Sequence, residues 1–175
     1  MAKTVTIFGS SRPKPGEEEY EIAFYLGKKL AESGLNVCTG GFQGIMDAVS
    51  KGASSTNVEI IGVTINLYNA TPSKYLTKEI KTNSLFERLK NLVNIGDAYI
   101  ALQGGTGTML ELALVWEYMN KNMIKPKPFA SHSKMWKEII KIMEKQIALE
   151  QRQTGLIKPF EDINECADYI IKCLI

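Results

Sequence analysis

The residues best suited to chemistry form a glycine-rich segment that follows an apolar run and precedes an amphipathic helix. This segment is Gly104-Gly105-Thr106-Gly107-Thr108. The backbone N–H groups of such a turn approach a ligand closely, and the first N–H groups of the next helix have no partner within the helix. The helix dipole adds positive charge at the same place. The segment therefore predicts a site for an anion, and phosphate is the anion that matches it best.

Glu111 follows this segment and is predicted to lie in the first turn of a helix over Thr108–Asn122. That position puts a carboxylate within a few ångströms of a bound phosphate ester. On a helical wheel Glu111 shares a face with Leu114 and Val115, so it points towards packed structure, which favours a functional role. An acidic residue that only complements the helix dipole is the alternative, and the residues alone leave both interpretations open.

Arg88 is a second candidate because it lies at the edge of the apolar stripe of a predicted helix, Leu85–Ile95. A partly buried guanidinium needs a partner, and a carboxylate or phosphate held by two hydrogen bonds is the most useful one. A structural ion pair with Asp97 or with a neighbouring glutamate explains the same pattern. From the residues alone, the structural pair is the simpler interpretation.

Two further loops have the same character, Gly9–Arg12 after the strand Thr4–Phe8 and Gly40–Gly44 after the strand Leu35–Cys38. Ligands of parallel α/β folds bind beyond the carboxyl ends of the strands. We therefore expect the three loops to meet at one phosphate-binding crevice. Tight strand–helix turns without a ligand would explain each loop by itself, but they explain all three less well.

The elements that hold these loops alternate between strand and helix. Predicted strands are Thr4–Phe8, Leu35–Cys38, Val58–Ile65, Ala98–Leu102 and a short one near Phe129. Predicted helices are Glu17–Ser33, Ile45–Ser54, Leu85–Ile95 with Ser84 as its cap, Thr108–Asn122, Lys134–Gln146 and a C-terminal one from about Ile163. Asn66–Asn83 is predicted to be a loop or lid, and Gln151–Phe160 a surface connection. The alternation predicts an α/β protein with one doubly wound Rossmann-like domain over residues 1–175, a mostly parallel sheet and helices on both faces.

Composition limits the class of protein. A chain of 175 residues with 45% hydrophobic residues suits one domain, and a formal net charge of +2 without a basic block argues against a nucleic-acid partner. No apolar run approaches the roughly 20 residues of a membrane span and no signal peptide is evident, so we expect no membrane partner. Three cysteines and one histidine lack metal-ligand spacing, so we expect reduced thiols in a cytoplasmic protein, no metal and no cofactor.

Two phosphate-binding motifs are absent or incomplete. Gly104–Thr108 is not followed by the Lys-Ser or Lys-Thr of a P-loop, which disfavours a nucleoside triphosphatase. Gly105-Thr106-Gly107 lacks the third glycine of a dinucleotide-binding fingerprint, so the glycines indicate a monophosphate or pyrophosphate in general. Ser131-His132-Ser133-Lys134 superficially resembles a Schiff-base motif for pyridoxal phosphate. The chain is far shorter than such enzymes, however, and Lys134 more simply begins a helix. His132 follows a strand end, so it either reaches the crevice or, as the simpler interpretation, lies on a surface loop.

Four ordered motifs between Val5 and Trp136 resemble the Lonely Guy phosphoribohydrolases, a family also described as possible lysine decarboxylases. The family's P-G-G-x-G-T-x-x-E motif is similar to residues Gln103–Glu111. Its M-x-x-R-K motif is similar to Leu85-Phe86-Glu87-Arg88-Leu89, with Asp97-Ala98 following at the family's spacing. The family's first and second glycine loops resemble Phe8-Gly9-Ser10-Ser11 and Thr39-Gly40-Gly41-Phe42-Gln43-Gly44-Ile45-Met46.

The resemblance implies hydrolysis of the N-glycosidic bond of a nucleoside 5′-monophosphate, either AMP or an N6-modified AMP such as a cytokinin precursor. It implies that Arg88 and Glu111 are the catalytic pair. It also implies a homodimer or higher homo-oligomer with the active site near the subunit interface, where Met109–Met119 with Trp116 is a candidate contact and core packing of Trp116 the alternative. The residues implied in substrate and phosphate binding are Gly9, Ser10, Ser11, Gly40, Gly41, Gly44, Met46, Gly104, Gly105, Thr106, Gly107 and Thr108.

Three positions depart from the family's motifs. Gln103 replaces the proline, Leu89 the lysine after the arginine, and Leu110 the first of two glutamates. None of these changes removes Arg88 or Glu111, but they leave open which base or modified base the chain accepts. A non-catalytic carrier of a nucleotide or phosphorylated cofactor, like the similar molybdenum-cofactor carrier proteins, is the alternative function. The retention of both Arg88 and Glu111 argues against a carrier.

Overall fold

The computed structural model describes residues 2–66 and 69–175 and places seven strands in one sheet. The strands are β1 (Thr4–Phe8), β2 (Asn36–Thr39), β3 (Ile60–Ile65), β4 (Lys78–Thr82), β5 (Ala98–Ala101), β6 (Phe129–His132) and β7 (Lys158–Phe160). The helices are α1 (Glu18–Glu32), α2 (Ile45–Ala53), α3 (Leu85–Ile95), α4 (Thr106–Asn120), α5 (Lys134–Leu149) and α6 (Ile163–Leu174). Within the described residues, no helix has the length and apolar character needed to cross a membrane.

The strand order is β4-β3-β2-β1-β5-β6-β7, and every neighbouring pair is parallel. The chain winds outwards from β1 to β4 and then returns to the other side of β1 at β5, so the direction of winding reverses between β1 and β5. This arrangement confirms the predicted doubly wound α/β fold, with a sheet that is parallel throughout. In such folds, ligands bind in the crevice where the strand order reverses.

Helices cover both faces of the sheet. On one face, Ile7 belongs to an apolar cluster that includes buried residues of α1, α2 and α6. On the other face, the next residue, Phe8, belongs to a cluster that includes buried residues of α3, α4 and α5. The strands are apolar on both sides for this reason, as is usual in parallel sheets. Because α3 and α4 share one face, Arg88 and Glu111 can meet at its edge.

Local signals at the helix ends act largely as predicted. The hydroxyl of Ser84 accepts a hydrogen bond from the backbone N–H of Glu87 at 3.1 Å and so caps α3. Gly34 follows the end of α1 with a left-handed φ of +79°. The start of α4 was predicted two residues too late: the helix begins at Thr106, so Glu111 lies in its second turn and not in its first.

Two strands lie in segments that the sequence predicted to be loops. β4 runs through the predicted loop Asn66–Asn83; three of its five residues are charged, so it has no apolar run. β7 ends the predicted connection Gln151–Phe160; it has three residues and includes Pro159, which an edge strand tolerates. These two predictions were wrong because pairing with a neighbouring strand, and not local composition, makes both segments strands. Residues 67 and 68 of the first segment lie outside the described residues.

Candidate active site

Three glycine-rich loops meet in one crevice at the carboxyl ends of β1, β2 and β5. The crevice has a volume of about 530 Å³ and lies where the strand order reverses. Most of the residues predicted to form the site line it, namely Gly9, Ser10, Ser11, Gly40, Met46, Arg88, Gly105, Thr106, Gly107, Thr108 and Glu111. The tertiary structure thus brings together residues that are distant in the sequence.

Hydrogen bonds between backbone groups join the three loops. The N–H of Ser10 donates to the carbonyl oxygen of Gln103 at 3.0 Å, and the N–H of Ile45 donates to the carbonyl oxygen of Ser10 at 2.8 Å. Gly44 has a φ of +70°, and a Cβ on it would lie 2.4 Å from the carbonyl oxygen of Ser10, so glycine allows the second loop to approach the first. The three loops therefore form one continuous surface.

Three of the predicted binding glycines, Gly41, Gly44 and Gly104, do not line the crevice but lie behind its surface. A Cβ on Gly104 would lie 2.1 Å from Oγ1 of Thr108, so the third loop closes tightly on the start of α4. These glycines shape the loops, and their predicted contact with a ligand stays a prediction.

Gly105 and Gly107 differ from the other loop glycines. Apart from the adjacent residues and the backbone of the helix itself, no heavy atom of the described residues lies within 4 Å of the place where their Cβ atoms would be, and Gly105 has an ordinary φ of −97°. Neither packing nor backbone strain therefore requires glycine at these two positions. Both residues line the crevice beside the first N–H groups of α4, so an anion bound to those groups would occupy the space of the missing side chains.

Arg88 and Glu111 form an ion pair on the crevice wall. Nη1 of Arg88 lies 3.4 Å from Oε1 of Glu111, and Nε of Arg88 donates to the carbonyl oxygen of Val63 at 2.8 Å. Arg88 is only 7% exposed. The alternative partner from the sequence, Asp97, pairs instead with Lys3 at 3.1 Å. The guanidinium is thus fixed to β3 through one nitrogen and to the carboxylate of α4 through another.

Gly40 allows the guanidinium of Arg88 to lie against the second glycine loop. A Cβ on Gly40 would lie 1.8 Å from Nη2 of Arg88 and 2.7 Å from the sulfur of Met46. Any side chain at this position would displace the guanidinium or the thioether. A residue of the second loop therefore sets where the guanidinium of α3 can lie.

Burial raises the pKa of Glu111 to about 7, and the nearby Arg88 guanidinium opposes this rise only in part. The carboxyl group therefore changes charge close to neutral pH, which suits a group that takes up and releases a proton during turnover. Burial also raises the pKa of the neighbouring Cys38 thiol, to about 12, so this thiol stays protonated at neutral pH. Glu111, and not Cys38, is poised for acid–base chemistry.

One wall of the crevice is apolar. Phe42 and Met46 line this wall and pack with Ile65 in a small buried cluster. The sequence predicted Met46 but missed Phe42, although a phenylalanine among loop glycines is a visible signal. The predicted site residues also omitted Arg12 and Ala70, both of which line the crevice. The crevice thus combines a polar anion site with an apolar surface that suits a flat aromatic group.

Residues 69–77, which we call the strap, connect β3 to β4 and contribute Ala70 to the crevice lining. The N–H of Ser73 donates to the carbonyl oxygen of Gly41 at 2.8 Å. Oγ of Ser73 donates to Oδ1 of Asp47 at 2.7 Å. The strap belongs to the segment that the sequence predicted to be a loop or lid, and these bonds fasten it to the second glycine loop and to α2.

Other residues that the sequence singled out lie away from the crevice. Nε2 of His132 lies 3.1 Å from the carbonyl oxygen of Glu161, and His132 lines a second hollow of about 170 Å³. Trp116 is 6% exposed and packs in the core, so it offers no surface for a subunit contact. Lys134 begins α5 as predicted. Among residues 2–66 and 69–175, no group of three or more His, Cys, Asp and Glu side chains is placed to hold a metal ion.

The fold and the crevice define a Rossmann-like α/β protein with an anion site beside an Arg–Glu pair. The chain belongs to the SLOG cluster4 family, whose sequence profile matches residues 2–156. Its curated relatives include plant and bacterial cytokinin riboside 5′-monophosphate phosphoribohydrolases. These relatives confirm the resemblance to the Lonely Guy family that the motifs indicated.

Two of these curated relatives illustrate the similarity. The chain is 29% identical over 123 residues to the cytokinin riboside 5′-monophosphate phosphoribohydrolase of Rhodococcoides fascians, covering 67% of this chain and 62% of that protein. It is 32% identical over 123 residues to the pyrimidine/purine nucleotide 5′-monophosphate nucleosidase of Escherichia coli K12, covering 63% of this chain and 27% of that protein. Each match therefore spans less than two thirds of the relative's length.

Solved structures match over the whole chain. The molybdenum cofactor carrier protein of Chlamydomonas reinhardtii superposes with a TM-score of 0.79 at 22% identity, over 99% of both chains. The molybdenum cofactor binding protein of Rippkaea orientalis superposes with a TM-score of 0.78 at 22% identity, over 100% of this chain and 99% of that chain. These matches confirm the fold, and at this identity they show the fold alone.

Proposed function

We propose that this chain hydrolyses the N-glycosidic bond of a nucleoside 5′-monophosphate, AMP or an N6-modified AMP, and releases the free base and ribose 5-phosphate. The observation that carries the proposal is the Arg88–Glu111 ion pair in the same crevice as the open start of α4. The names of the relatives from Rhodococcoides fascians and Escherichia coli, a phosphoribohydrolase and a nucleosidase of 5′-monophosphates, support this class of substrate.

The crevice offers a place for each part of the nucleotide. The 5′-phosphate binds at the start of α4, where Gly105 and Gly107 leave room beside unpaired helical N–H groups. The base lies against the apolar wall of Phe42 and Met46. The ribose spans the space between them, beside Glu111. Binding of the two ends then holds the C1′–N bond at the carboxylate.

In the reaction, the oxygen of a water molecule bonds to C1′ as the C1′–N bond breaks, and the electron pair of that bond goes to the base nitrogen. Positive charge develops on the ribose, and the ionised Glu111 carboxylate stabilises this charge and orients the water. The carboxylate accepts the proton that the water loses and passes it to the departing base. Arg88, bonded to the carbonyl oxygen of Val63, holds the carboxylate in position.

The three departures from the Lonely Guy motifs leave this machinery in place. Leu89 is buried, with 4% of its surface exposed, and Leu110 lies on the surface at the start of α4. Neither belongs to the ion pair, which Arg88 and Glu111 form. Gln103 contributes its carbonyl oxygen to the hydrogen bond from Ser10, which a proline carbonyl would also accept. These positions therefore bear on which nucleotide is accepted more than on whether the bond is cleaved.

The test is incubation of purified protein with AMP, other nucleoside monophosphates and N6-modified AMP, with the free base followed by chromatography. Glu111→Ala and Arg88→Ala should abolish base release from every nucleotide. Glu117→Ala, a change at an exposed position of the same helix, should leave base release unchanged. Loss in both site variants but not in the control would assign the activity to this chain and not to a contaminant, and would rank the substrates.

A non-catalytic carrier of a nucleotide or phosphorylated cofactor is the second candidate function. The fold shared with molybdenum cofactor carrier proteins is compatible with it. A carrier would bind a nucleotide tightly in calorimetry without releasing base from any nucleotide. That result would overturn the hydrolase proposal in favour of the carrier.

We further propose that the chain forms a homodimer through an apolar face at the starts of α3 and α4. Large apolar residues are exposed there, namely Leu85, Phe86, Met109 and Leu110, with Phe86 at 83%. The ion pair of the crevice joins the same two helices, so this face borders the site. Soluble monomers rarely expose several large apolar residues beside a binding site without a function, and a second copy would cover them with the same residues in a two-fold arrangement.

We also propose that residues 1–175 form one domain and that the chain works in the cytoplasm. The seven strands share one sheet, which supports a single domain. Cys38, Cys166 and Cys173 are free thiols, as is usual in a reducing compartment. Fractionation of cells that express the chain, followed by immunodetection, tests the location.

A further inference from the structure

Arg12 is a cation at the crevice that the mechanism has not used. It lines the crevice and is exposed to solvent. Among the described residues, no carboxylate lies within ion-pair distance of its guanidinium. A guanidinium without an internal partner is available to bind a ligand anion with two parallel hydrogen bonds.

The backbone that carries Arg12 is held in place. The N–H of Arg12 donates to Oγ of Ser10 at 3.1 Å. Ser10 itself is bonded to Gln103 in the third loop and to Ile45 at the start of α2. Pro13, which follows, is buried and restricts the chain further. The side chain therefore projects from a fixed point on the crevice rim, so less conformational freedom is lost when it binds a ligand.

The charges of the crevice leave a role for this residue. The Arg88 guanidinium faces the Glu111 carboxyl group at 3.4 Å, so the ionised carboxylate offsets the charge that Arg88 could offer to a phosphate. Leu89, the next residue of α3, is buried and uncharged. The start of α4 supplies N–H groups and a partial dipole charge only. Two arginines, Arg12 and Arg88, are among the described residues that line the crevice. Of these two, Arg12 is the one without a carboxylate partner.

We propose that Arg12 binds the 5′-phosphate together with the start of α4, and that it makes the crevice select phosphorylated over unphosphorylated nucleosides. This inference rests on the proposed function for the identity of the ligand. It adds a specificity residue to a site whose two other charges are engaged with each other. Loss of one charge-assisted contact to a phosphate weakens binding by about tenfold to a hundredfold.

Calorimetric titration of AMP and of adenosine tests the inference. The titrations use protein that carries both Arg88→Gln and Glu111→Gln, so that the nucleotide is not consumed and the ion pair leaves no unpaired charge in the crevice. We expect Arg12→Gln to weaken AMP binding by about tenfold or more and to leave adenosine binding unchanged, with Arg12→Lys in between. Lys14→Gln, at an exposed position two residues further along that does not line the crevice, should leave both affinities unchanged.

Three outcomes would overturn the inference: equal AMP affinity with and without Arg12, equal losses for AMP and adenosine, or no preference for AMP over adenosine before the change. The hydrolase proposal fails in a different way. If the protein with Glu111 intact releases no base while Arg12→Gln selectively weakens AMP binding, Arg12 keeps its role and the hydrolase proposal falls. If base is released and Arg12→Gln leaves KM for AMP unchanged, the hydrolase stands and the role of Arg12 falls.

Discussion

At the scale of single residues, the raised pKa of Glu111 predicts how the proposed activity depends on pH. The carboxylate must be ionised to stabilise positive charge on the ribose, and its pKa is about 7. We therefore expect kcat/KM for AMP to rise about tenfold per pH unit below about pH 7 and to level off above it. A flat profile, or a break near pH 6 where a phosphate monoester titrates, would contradict the role of Glu111.

The same pKa makes the stability of the fold depend on pH. The folded-state pKa of about 7 lies above the ordinary 4.5, so the folded protein holds this proton more tightly than the unfolded chain. The resulting stability is fully present below 4.5 and is lost as the pH rises through 7, by up to about 3 kcal/mol. Glu111→Gln removes this dependence. When the pH is raised from acid to alkaline, the free energy of unfolding of the variant should therefore rise by about 3 kcal/mol relative to that of the wild type.

Urea unfolding at about pH 4 and about pH 8 measures this difference. Glu117→Gln, a change at an exposed carboxylate of the same helix outside the crevice, is the control. If Glu111→Gln and wild type lost stability in parallel as the pH rises, the Glu111 carboxyl would not be titrating near neutrality in the folded protein.

Two glycines of the crevice have different proposed roles. Gly40 leaves space for the Arg88 guanidinium, and Gly105 leaves space for the phosphate. Gly40→Ala forces the Arg88 guanidinium away, since the new Cβ would lie 1.8 Å from Nη2, and kcat should fall by about a hundredfold. Gly105→Ala meets no described heavy atom within 4 Å apart from adjacent residues, so the variant should still fold and should raise KM for AMP. Steady-state kinetics and thermal unfolding check both variants. An unchanged KM in Gly105→Ala would show that the phosphate binds elsewhere.

At the scale of elements, Asp47 joins α2 to two neighbours. Its carboxylate accepts hydrogen bonds at 2.7 Å from the hydroxyl of Tyr20 on α1 and from Oγ of Ser73 in the strap. Asp47→Ala leaves both hydroxyls without this partner, so the free energy of unfolding should fall by about 1–3 kcal/mol. Amide hydrogen exchange in residues 69–77 should become faster. Ser73→Ala removes one bond only, so its loss of stability should be smaller; an equal loss would contradict a double role for Asp47.

The elements that the sequence predicted well are those defined by local signals. The apolar runs of β1 and β5, the cap at Ser84 and the glycine at position 34 act through neighbouring residues, so they can be recognised in the chain. β4 and β7 could not be recognised in this way. Their strand character comes from pairing with β3 and β6, and the polar composition of β4 reflects its exposed place at the sheet edge.

At the scale of the whole molecule, the apolar face at the starts of α3 and α4 predicts a dimer. Light scattering after size-exclusion chromatography should give twice the mass of one chain. Phe86→Glu places a charge on this face and should give a monomer, because two copies of the charge would meet across a two-fold interface. Met123→Glu, at another exposed apolar residue outside this face, should remain a dimer. A wild-type monomer would contradict the proposed interface.

The amino-acid sequence by itself determined the parallel α/β class, the three glycine loops and the two candidate catalytic residues. Alternating strand and helix patterns leave few topologies for a chain of this length, because crossover connections between parallel strands are right-handed and the loops collect at one edge of the sheet. The motifs around Arg88 and Glu111 added the family, which the profile match over residues 2–156 confirms.

Only the tertiary structure decided what those residues do to one another. The sequence left Arg88 with several partners, and the packing of α3 and α4 on one face selected Glu111. Burial in the crevice raised the pKa of that carboxyl, and the same folding left Arg12 without a carboxylate among the described residues. Ion pairing, burial and proton affinity depend on distances between residues remote in the chain and on how far water is excluded, so local sequence patterns do not encode them.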